Sequence, residues 1–226
     1  RDSPGAAEEG VVVQIELASV PPFYKNGYVV ACEETGEAVI IDPGDEVDEL
    51  LRVVRATASD VKAILLTHAH LDHITGVGRA KAELGVPIWL HRDDLFLYDG
   101  IVEQGLMFGL EVSRQPPVDC FYEPGIAFRF GRYVAEPLHT PGHCPGGVCL
   151  AIGRTDEDRR ELFVGDTLFA GSIGRTDLPG GSQEQLLRSI VDVLLRFPDD
   201  TVVHPGHGPE TTIGRERATN PFLIHV

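Results

Sequence analysis

The residues Thr67-His68-Ala69-His70-Leu71-Asp72-His73 close an apolar run at 62–67 and open a segment of helical periodicity. A short apolar run bounded by polar residues reads as a buried strand. Strand, histidine-rich turn and helix, in that order, gather four ligand-type side chains at one strand end. Where the strand frays, His68 and His70 can turn both rings to one metal ion. Asp72 and His73 lie on the turn that starts the helix and can face a second ion a few ångströms away. A helix N-terminus favours negative charge, which suits an aspartate at that place. A single histidine is more often an ordinary surface or core residue than a ligand; the clustering reverses that expectation.

Outward from this stretch, strands are expected at 11–17, 28–32 and 38–41, the last followed by the turn Asp42-Pro43-Gly44. Val47, Leu50, Leu51 and Val54 then recur at helical spacing. A helix is expected at 74–84, stopped by Gly85 and Pro87, with a strand at 88–90. From 92 to 123 the pattern weakens. A short helix is expected at 92–97, then a long loop around Gly105 to Gly109, of the kind that often carries function. Runs at 126–130 and 133–137 suggest a hairpin over Gly131-Arg132. Runs at 148–152 and 161–164 suggest a second pair, joined by the charged loop 154–160. An amphipathic helix at 183–197 and a strand at 201–204 follow. This order fits two similar half-units whose sheets pack face to face with helices outside. No low-complexity linker divides them, so one domain is expected over 11–226. The small, polar, acidic residues 1–10 read as a loose terminus.

Three further ligand candidates sit among turn residues, which pin the backbone as a metal site requires. His143 lies within Leu138-His-Thr-Pro-Gly-His-Cys-Pro-Gly-Gly147, Asp166 ends a strand in Leu162-Phe-Val-Gly-Asp-Thr167, and His207 lies in His204-Pro-Gly-His-Gly208. A carboxylate is the natural bridge between two cations, and Asp166 is the candidate. Two metals roughly 3.5 Å apart lower the pKa of a shared water and orient the hydroxide, while one also polarises a substrate carbonyl. Such a site hydrolyses esters, thioesters, lactones, lactams or phosphodiesters with no serine or cysteine nucleophile. His139 and His204 are read as structural or as supports of the ligands. His91 and His225 belong to no motif and are read as ordinary residues. Asp42 is either a turn residue or a partner of a ligand histidine.

Composition narrows the partners. The chain has 226 residues, 42% hydrophobic and 24% charged, ordinary for a soluble globular protein. No apolar run approaches the roughly 18 residues of a membrane helix, and no charged-then-apolar segment opens the chain. No membrane partner is expected. A net charge of −16 repels phosphate backbones, which argues against nucleic acid and means that an anionic substrate needs a local basic patch. Cys32, Cys120, Cys144 and Cys149 form no C-x-x-C pair and read as buried thiols in a reducing compartment, the cytoplasm. Cys144, beside a ligand candidate, is expected to be open to oxidation. The sequence leaves homo-oligomerisation open.

The T-H-x-H-x-D-H motif at 67–73 resembles that of the metallo-β-lactamase superfamily, and within it the single-domain glyoxalase II-like (hydroxyacylglutathione hydrolase-like) group. The resemblance covers about 11–223. It implies an α/β fold, a four-layer αβ/βα sandwich with the metal site at one edge of the two sheets. It also implies that one metal takes His68, His70 and His143, that the other takes Asp72, His73 and His207, and that Asp166 bridges. In the most studied β-lactamases the position of His73 is typically arginine or another residue, so histidine here points to the binuclear hydrolases. The RNA-processing phosphodiesterases of the superfamily usually carry an added arm or domain, of which this acidic sequence shows no sign.

The stretch from Gly165 to Gly181 looks like two relatives, the short glyoxalase II-like hydrolases and the persulfide dioxygenases, which share Gly174-Arg175-Thr176-Asp177. The dioxygenases use one iron, held by residues corresponding to His68, His143 and Asp166, and they also retain the remaining ligand-type residues, so ligand identity does not separate the two. The segment 205–214 resembles the hydrolases more. Classical glyoxalase II has a C-terminal helical domain that supplies basic residues for glutathione; this sequence ends at Val226, and that domain is expected to be missing. Arg175 falls where relatives contact the thiol conjugate, and an ion pair with Asp177 is equally open. The loop 100–117, with Met107 and Phe108, is expected to cap the pocket. The resemblance thus implies a hydrolase of S-(2-hydroxyacyl)glutathione-type thioesters acting through a metal-bridging hydroxide. Asp72, His70 and Asp166 are its expected catalytic residues. Its cofactors are two divalent metal ions, zinc first, then iron or manganese. The alternative is a mononuclear iron dioxygenase acting on glutathione persulfide.

Overall fold

The computed structural model describes residues 14–224; the expected loose terminus at 1–10 and His225 lie outside the described residues. The first sheet is built from β1 (Gln14–Ala18), β2 (Gly27–Ala31), β3 (Glu37–Ile41), β4 (Asp60–Leu65), β5 (Ile88–Leu90) and β6 (Cys120–Phe121), side by side in that order. β1, β2 and β3 are antiparallel, and β3 to β6 run parallel. The second half contributes β7 (Phe128–Phe130), β8 (Tyr133–His139), β9 (Val148–Arg154) and β10 (Glu161–Gly165). A short hairpin follows, β11 (Leu168–Phe169) with β12 (Ser172–Ile173), and then β13 (Val202–Pro205) and β14 (Thr211–Thr212). The second sheet has the order β14-β13-β10-β9-β8-β7, with β13 parallel to β10 and the other pairs antiparallel.

Alternation along each strand explains the layers. In β3, Val39 and Ile41 face the second sheet and pack with Phe130, Leu150, Ile152 and Phe163. Ala38 and Ile40, pointing the opposite way, lie under α1 (Val47–Thr57) against Leu50 and Val54. A strand buried on both faces has no polar side, which is why 38–41 reads as an unbroken apolar run. The outer face of β4 and β5 is covered through Ile64, Leu66, Ile88 and Leu90 by α2 (Leu71–Ile74), α3 (Val77–Leu84), α4 (Leu95–Asp99) and α5 (Ile101–Met107). The outer face of β9, β10 and β13 is covered by α6 (Gln183–Asp192) and α7 (Ile213–Thr219), through Leu186, Ile190 and Ile213. The result is the four-layer αβ/βα sandwich.

Several boundaries differ from expectation. The helix expected at 74–84 is two, bent at Thr75-Gly76. The Gly76 N–H donates to the Pro43 carbonyl at 3.0 Å, and a side chain on Gly76 would strike Gly44 and Val47, so the chain turns to dock on the Asp42–Gly44 turn. The loop expected around Gly105–Gly109 is largely helix α5. Gly105 weakens its helical signal, yet it is needed because Val112 and the Leu110 carbonyl close on it. The helix expected at 183–197 ends at Asp192 and continues as a 3-10 turn over Leu194–Arg196. β6, β11, β12, β14 and α7 went unread because two-residue strands and a seven-residue helix are too short to show a period.

Candidate metal centre

Five strands end at the same edge of the sandwich, and each is followed by a chemistry-bearing residue. Asp42 follows β3, the stretch 67–73 follows β4, His143 lies just beyond β8, Asp166 follows β10, and His207 lies just beyond β13. The backbone is shaped for this convergence. Gly165 turns with φ +49, and Gly206 lies so close to the Asp166 carboxylate and the His73 ring that no side chain fits there. The Gly206 N–H donates to the Gly165 carbonyl at 2.7 Å, joining the Asp166 and His207 turns. From the first sheet, Asn26 donates from Nδ2 to the carbonyls of Pro205 and Gly208 at 3.0 and 2.8 Å. The Tyr28 hydroxyl adds a bond to Pro205 at 2.7 Å.

The structure brings all seven expected ligand side chains together, as two sets with one residue between. Donor atoms of His68, His70 and His143 lie within 4.8 Å of one another, and so do those of Asp72, His73 and His207. His143 Nδ1–H donates to the Arg175 carbonyl at 2.7 Å, which leaves its Nε2 lone pair facing His70 Nδ1, also at 2.7 Å. In the other set, His207 Nε2 is 3.0 Å and His73 Nε2 3.8 Å from Asp72 Oδ2. Asp166 faces both: Oδ1 is 3.3 Å from His73 Nε2, and Oδ2 is 3.7 Å from Nε2 of both His143 and His207. His68 Nε2, His70 Nε2, His73 Nε2 and Asp166 Oδ1 are buried with no hydrogen-bond partner. Buried polar atoms left unpaired cost roughly 1–3 kcal/mol each. Nitrogen and carboxylate donors converging in this way fit divalent cations.

Protonation separates the two sets. Burial, reinforced by the neighbouring imidazoles, holds His68 well below the ordinary histidine range. Burial and His143 bring His70 down to about 3. Both are therefore neutral, the form that binds a metal. At His73, burial opposes the charge, but the carboxylates of Asp72 and Asp166 outweigh it and raise the ring to about 10. Burial works against ionisation of Asp72 and Asp166 as well, and His73 more than compensates, so both are held below the usual carboxylate range. The second set thus holds a proton that a cation would displace.

Of the two readings of Asp42, the structure favours the partner of a histidine. Its Oδ2 accepts from His73 Nδ1–H at 2.9 Å and from the Thr67 hydroxyl at 2.5 Å, and its Oδ1 accepts from the Thr67 N–H at 2.6 Å. Asp42 also clusters with His68 and His73 as a metal-sized group, but both its oxygens are already engaged, so it orients ligands rather than joining them. His204 bonds Glu161 at 2.7 Å and Glu210 at 2.9 Å and stacks on Phe163; it belongs to neither ligand set. His139 likewise stands outside both.

One supporting residue escaped the sequence reading. Asp94, fully buried, accepts from the Ala69 N–H at 3.0 Å, the Gly146 N–H at 2.6 Å and the Cys144 thiol at 3.1 Å. It ties the turn between His68 and His70 to the loop carrying His143. The only hint was an aspartate pair just after a strand at 88–90. Cys144 is correspondingly not the oxidation-prone thiol expected. Burial and the Asp94 carboxylate push it well above the ordinary thiol range, so it stays protonated. Cys32 and Cys149 are also buried, Cys120 is half-buried, and all four are free thiols.

The site opens into a cleft of about 200 Å³ lined by Phe23, Leu71, Gln104, Phe108, Arg175 and Leu178 beside the candidate ligands. Phe108 packs edge-on against Phe23, with ring centroids 6.1 Å apart. Met107, expected to help cap the pocket, is instead exposed to solvent and is not part of the lining. The Arg175 guanidinium grips Asp177 through two bonds of 2.7 Å. The ion-pair reading of Arg175 therefore describes its observed position, although the side chain still borders the cleft.

The family model described as metallo-beta-lactamase superfamily matches residues 20–207. A Haemophilus influenzae protein named hydroxyacylglutathione hydrolase GloC is 38% identical, over 93% of this chain and 98% of its own. The structure titled BLEG-1 B3 metallo-beta-lactamase superposes with a TM-score of 0.84 at 36% identity, covering 93% of this chain and all of that one. The structure of TTHA1623 in a di-iron-bound form gives 0.79 at 41% identity, over 92% of this chain and all of that one. With a motif, a sandwich and near full-length relatives in agreement, this chain belongs to the metallo-β-lactamase superfamily.

Proposed function

We propose that this protein is a binuclear metal-dependent hydrolase of thioesters of the S-(2-hydroxyacyl)glutathione type. The observation that carries this reading is the pair of donor sets with Asp166 between them at the cleft. The name of the Haemophilus relative supports the substrate class, and the di-iron relative supports two metals. His68, His70 and His143 would hold one cation, Asp72, His73 and His207 the other, with Asp166 shared. Zinc, iron and manganese all suit such nitrogen and carboxylate donors.

When bound, the cations supply an acidified water and an electrophile for the acyl oxygen. The chain does the rest. Asp72, ionised and lining the cleft, accepts a hydrogen bond from the attacking water and aims it at the thioester carbon. Asp166, also ionised, keeps the two halves in register. The apolar wall of Phe23, Phe108 and Leu178 excludes water from the acyl group. Arg175 reaches a carboxylate of the thiol only by exchanging Asp177 for it.

The test is loss of thioester absorbance from S-D-lactoylglutathione, with protein loaded separately with zinc, iron or manganese. Asp166→Ala and His70→Ala should remove most activity. A β-lactam and glutathione persulfide, the latter followed by oxygen uptake, run beside it. The dioxygenase reading uses only His68, His143 and Asp166, but the dioxygenases retain the other ligand-type residues, so the donor sets do not separate the two readings; the name of the Haemophilus relative favours hydrolysis. Oxygen uptake with iron and no thioester turnover would replace the hydrolase reading.

A further inference from the structure

A buried charge pair borders the metal centre and takes no part in the chemistry described above. Lys25 and Glu46 are each 2% exposed, with Lys25 Nζ 2.5 Å from Glu46 Oε1. Nζ also donates to the Asp42 carbonyl, and the same Glu46 oxygen accepts from the Gly44 N–H at 2.9 Å. The lysine side chain thus grips the turn Asp42-Pro43-Gly44. Its backbone has a different hold. Lys25 forms an isolated antiparallel bridge with His207, and beside it the Asn26 N–H donates to the Gly206 carbonyl at 2.7 Å.

Every member of the Asp72–His73–His207 set is tied to this one residue. His207 is paired with its backbone. Asp42, whose carbonyl the ammonium holds, orients His73 through Nδ1 at 2.9 Å. Asp72 is reached through packing, since a side chain on Gly44 would strike the Asp72 carbonyl and crowd the Lys25 stem. The side-chain bonds of Lys25 lead to Asp42 and Glu46, and none leads to His68, His70 or His143. Stability alone explains the pair poorly, because apolar side chains of similar volume often match or better a buried ion pair. Directional bonds from one ammonium to two acceptors do what apolar packing does not: they fix the angle and distance at which two turns meet.

We propose that Lys25 is a positioning residue for the second cation. Its backbone sets the His207 turn, its ammonium sets the Asp42 turn, and the span between the two sets how the His207 and His73 rings face each other. Glu46 neutralises the ammonium and keeps it aimed at the Asp42 carbonyl. The inference rests on the two-cation reading of the centre and adds to it a residue that touches neither cation. It is independent of the acyl group and the thiol of the substrate.

The experiment is stepwise zinc removal from the loaded protein by a graded chelator series, followed by urea unfolding once chelation is complete. The step that His207→Ala abolishes marks the second set. Lys25→Met leaves Glu46 buried without its partner, so it should lower the urea midpoint and weaken that step. Lys25→Met combined with Glu46→Gln leaves no unpaired charge and keeps an acceptor for the Gly44 N–H. This double variant should regain most of the urea midpoint, while its second-set step stays weakened by about 10- to 100-fold and the other step is nearly unchanged. Recovery of the step together with the midpoint would limit the pair to stability and overturn the proposal, as would equal weakening of both steps. A single zinc step in wild type would overturn the two-cation reading and the proposal with it.

Discussion

Asp42 and His73 form a buried carboxylate–imidazole pair, with Oδ2 accepting from Nδ1–H at 2.9 Å. The pair fixes which nitrogen of His73 faces Asp72 and Asp166. Asp42 itself sits in the left-handed region at φ +47, held there by two bonds from Thr67. Asp42→Asn should therefore weaken metal at the Asp72–His73–His207 set by about 10- to 100-fold and leave the His68–His70–His143 set nearly unchanged. Stepwise removal of zinc by a graded chelator series would reveal it; equal weakening of both sets would contradict it.

His73 also sets a pH dependence. Its folded value near 10 lies above the unfolded 6.5. Its contribution to stability in chelator-stripped protein is therefore full below the unfolded value and is lost as pH rises through about 10. Zinc displaces that proton and removes the effect. Thermal midpoints should fall for stripped protein on going from neutral pH to about pH 10 and hold steadier for loaded protein. Parallel curves would show that His73 does not hold the proton.

Asp94 should matter to folding and to metal alike. Asp94→Ala strands three buried donors, at a cost of at least about 3 kcal/mol. Urea unfolding should show that loss, and metal analysis should show depletion at the His68–His70–His143 set. A folded variant with wild-type metal content would limit Asp94 to packing.

Phe108 should act on substrate binding. Phe108→Ala removes the edge-on contact with Phe23 at the cleft wall, worth about 1 kcal/mol. KM for the thioester should rise about fivefold with kcat nearly unchanged, because the ring lines the cleft wall and offers no polar group to the reacting atoms. A fall in kcat at constant KM would place Phe108 closer to the chemistry.

The sequence by itself determined the principal strands, α1 and the seven candidate ligands. Apolar runs such as 38–41 report burial on both faces, and imidazole and carboxylate groups at 67–73 have few other uses at that spacing. It misread α5, because Gly105 hides a helical period that close packing against Val112 requires. It left Asp42 and Arg175 open and passed over Asp94, since a carboxylate's role depends on donors that arrive from elsewhere in the chain. Only the tertiary structure decided those cases. Thr67 and His73 meet at Asp42, Ala69 and Gly146 meet at Asp94, and Asp177 occupies Arg175. Local periodicity carries information about burial, whereas a hydrogen-bond partner many residues away is fixed only when the two sheets pack and bring their strand ends to a common edge.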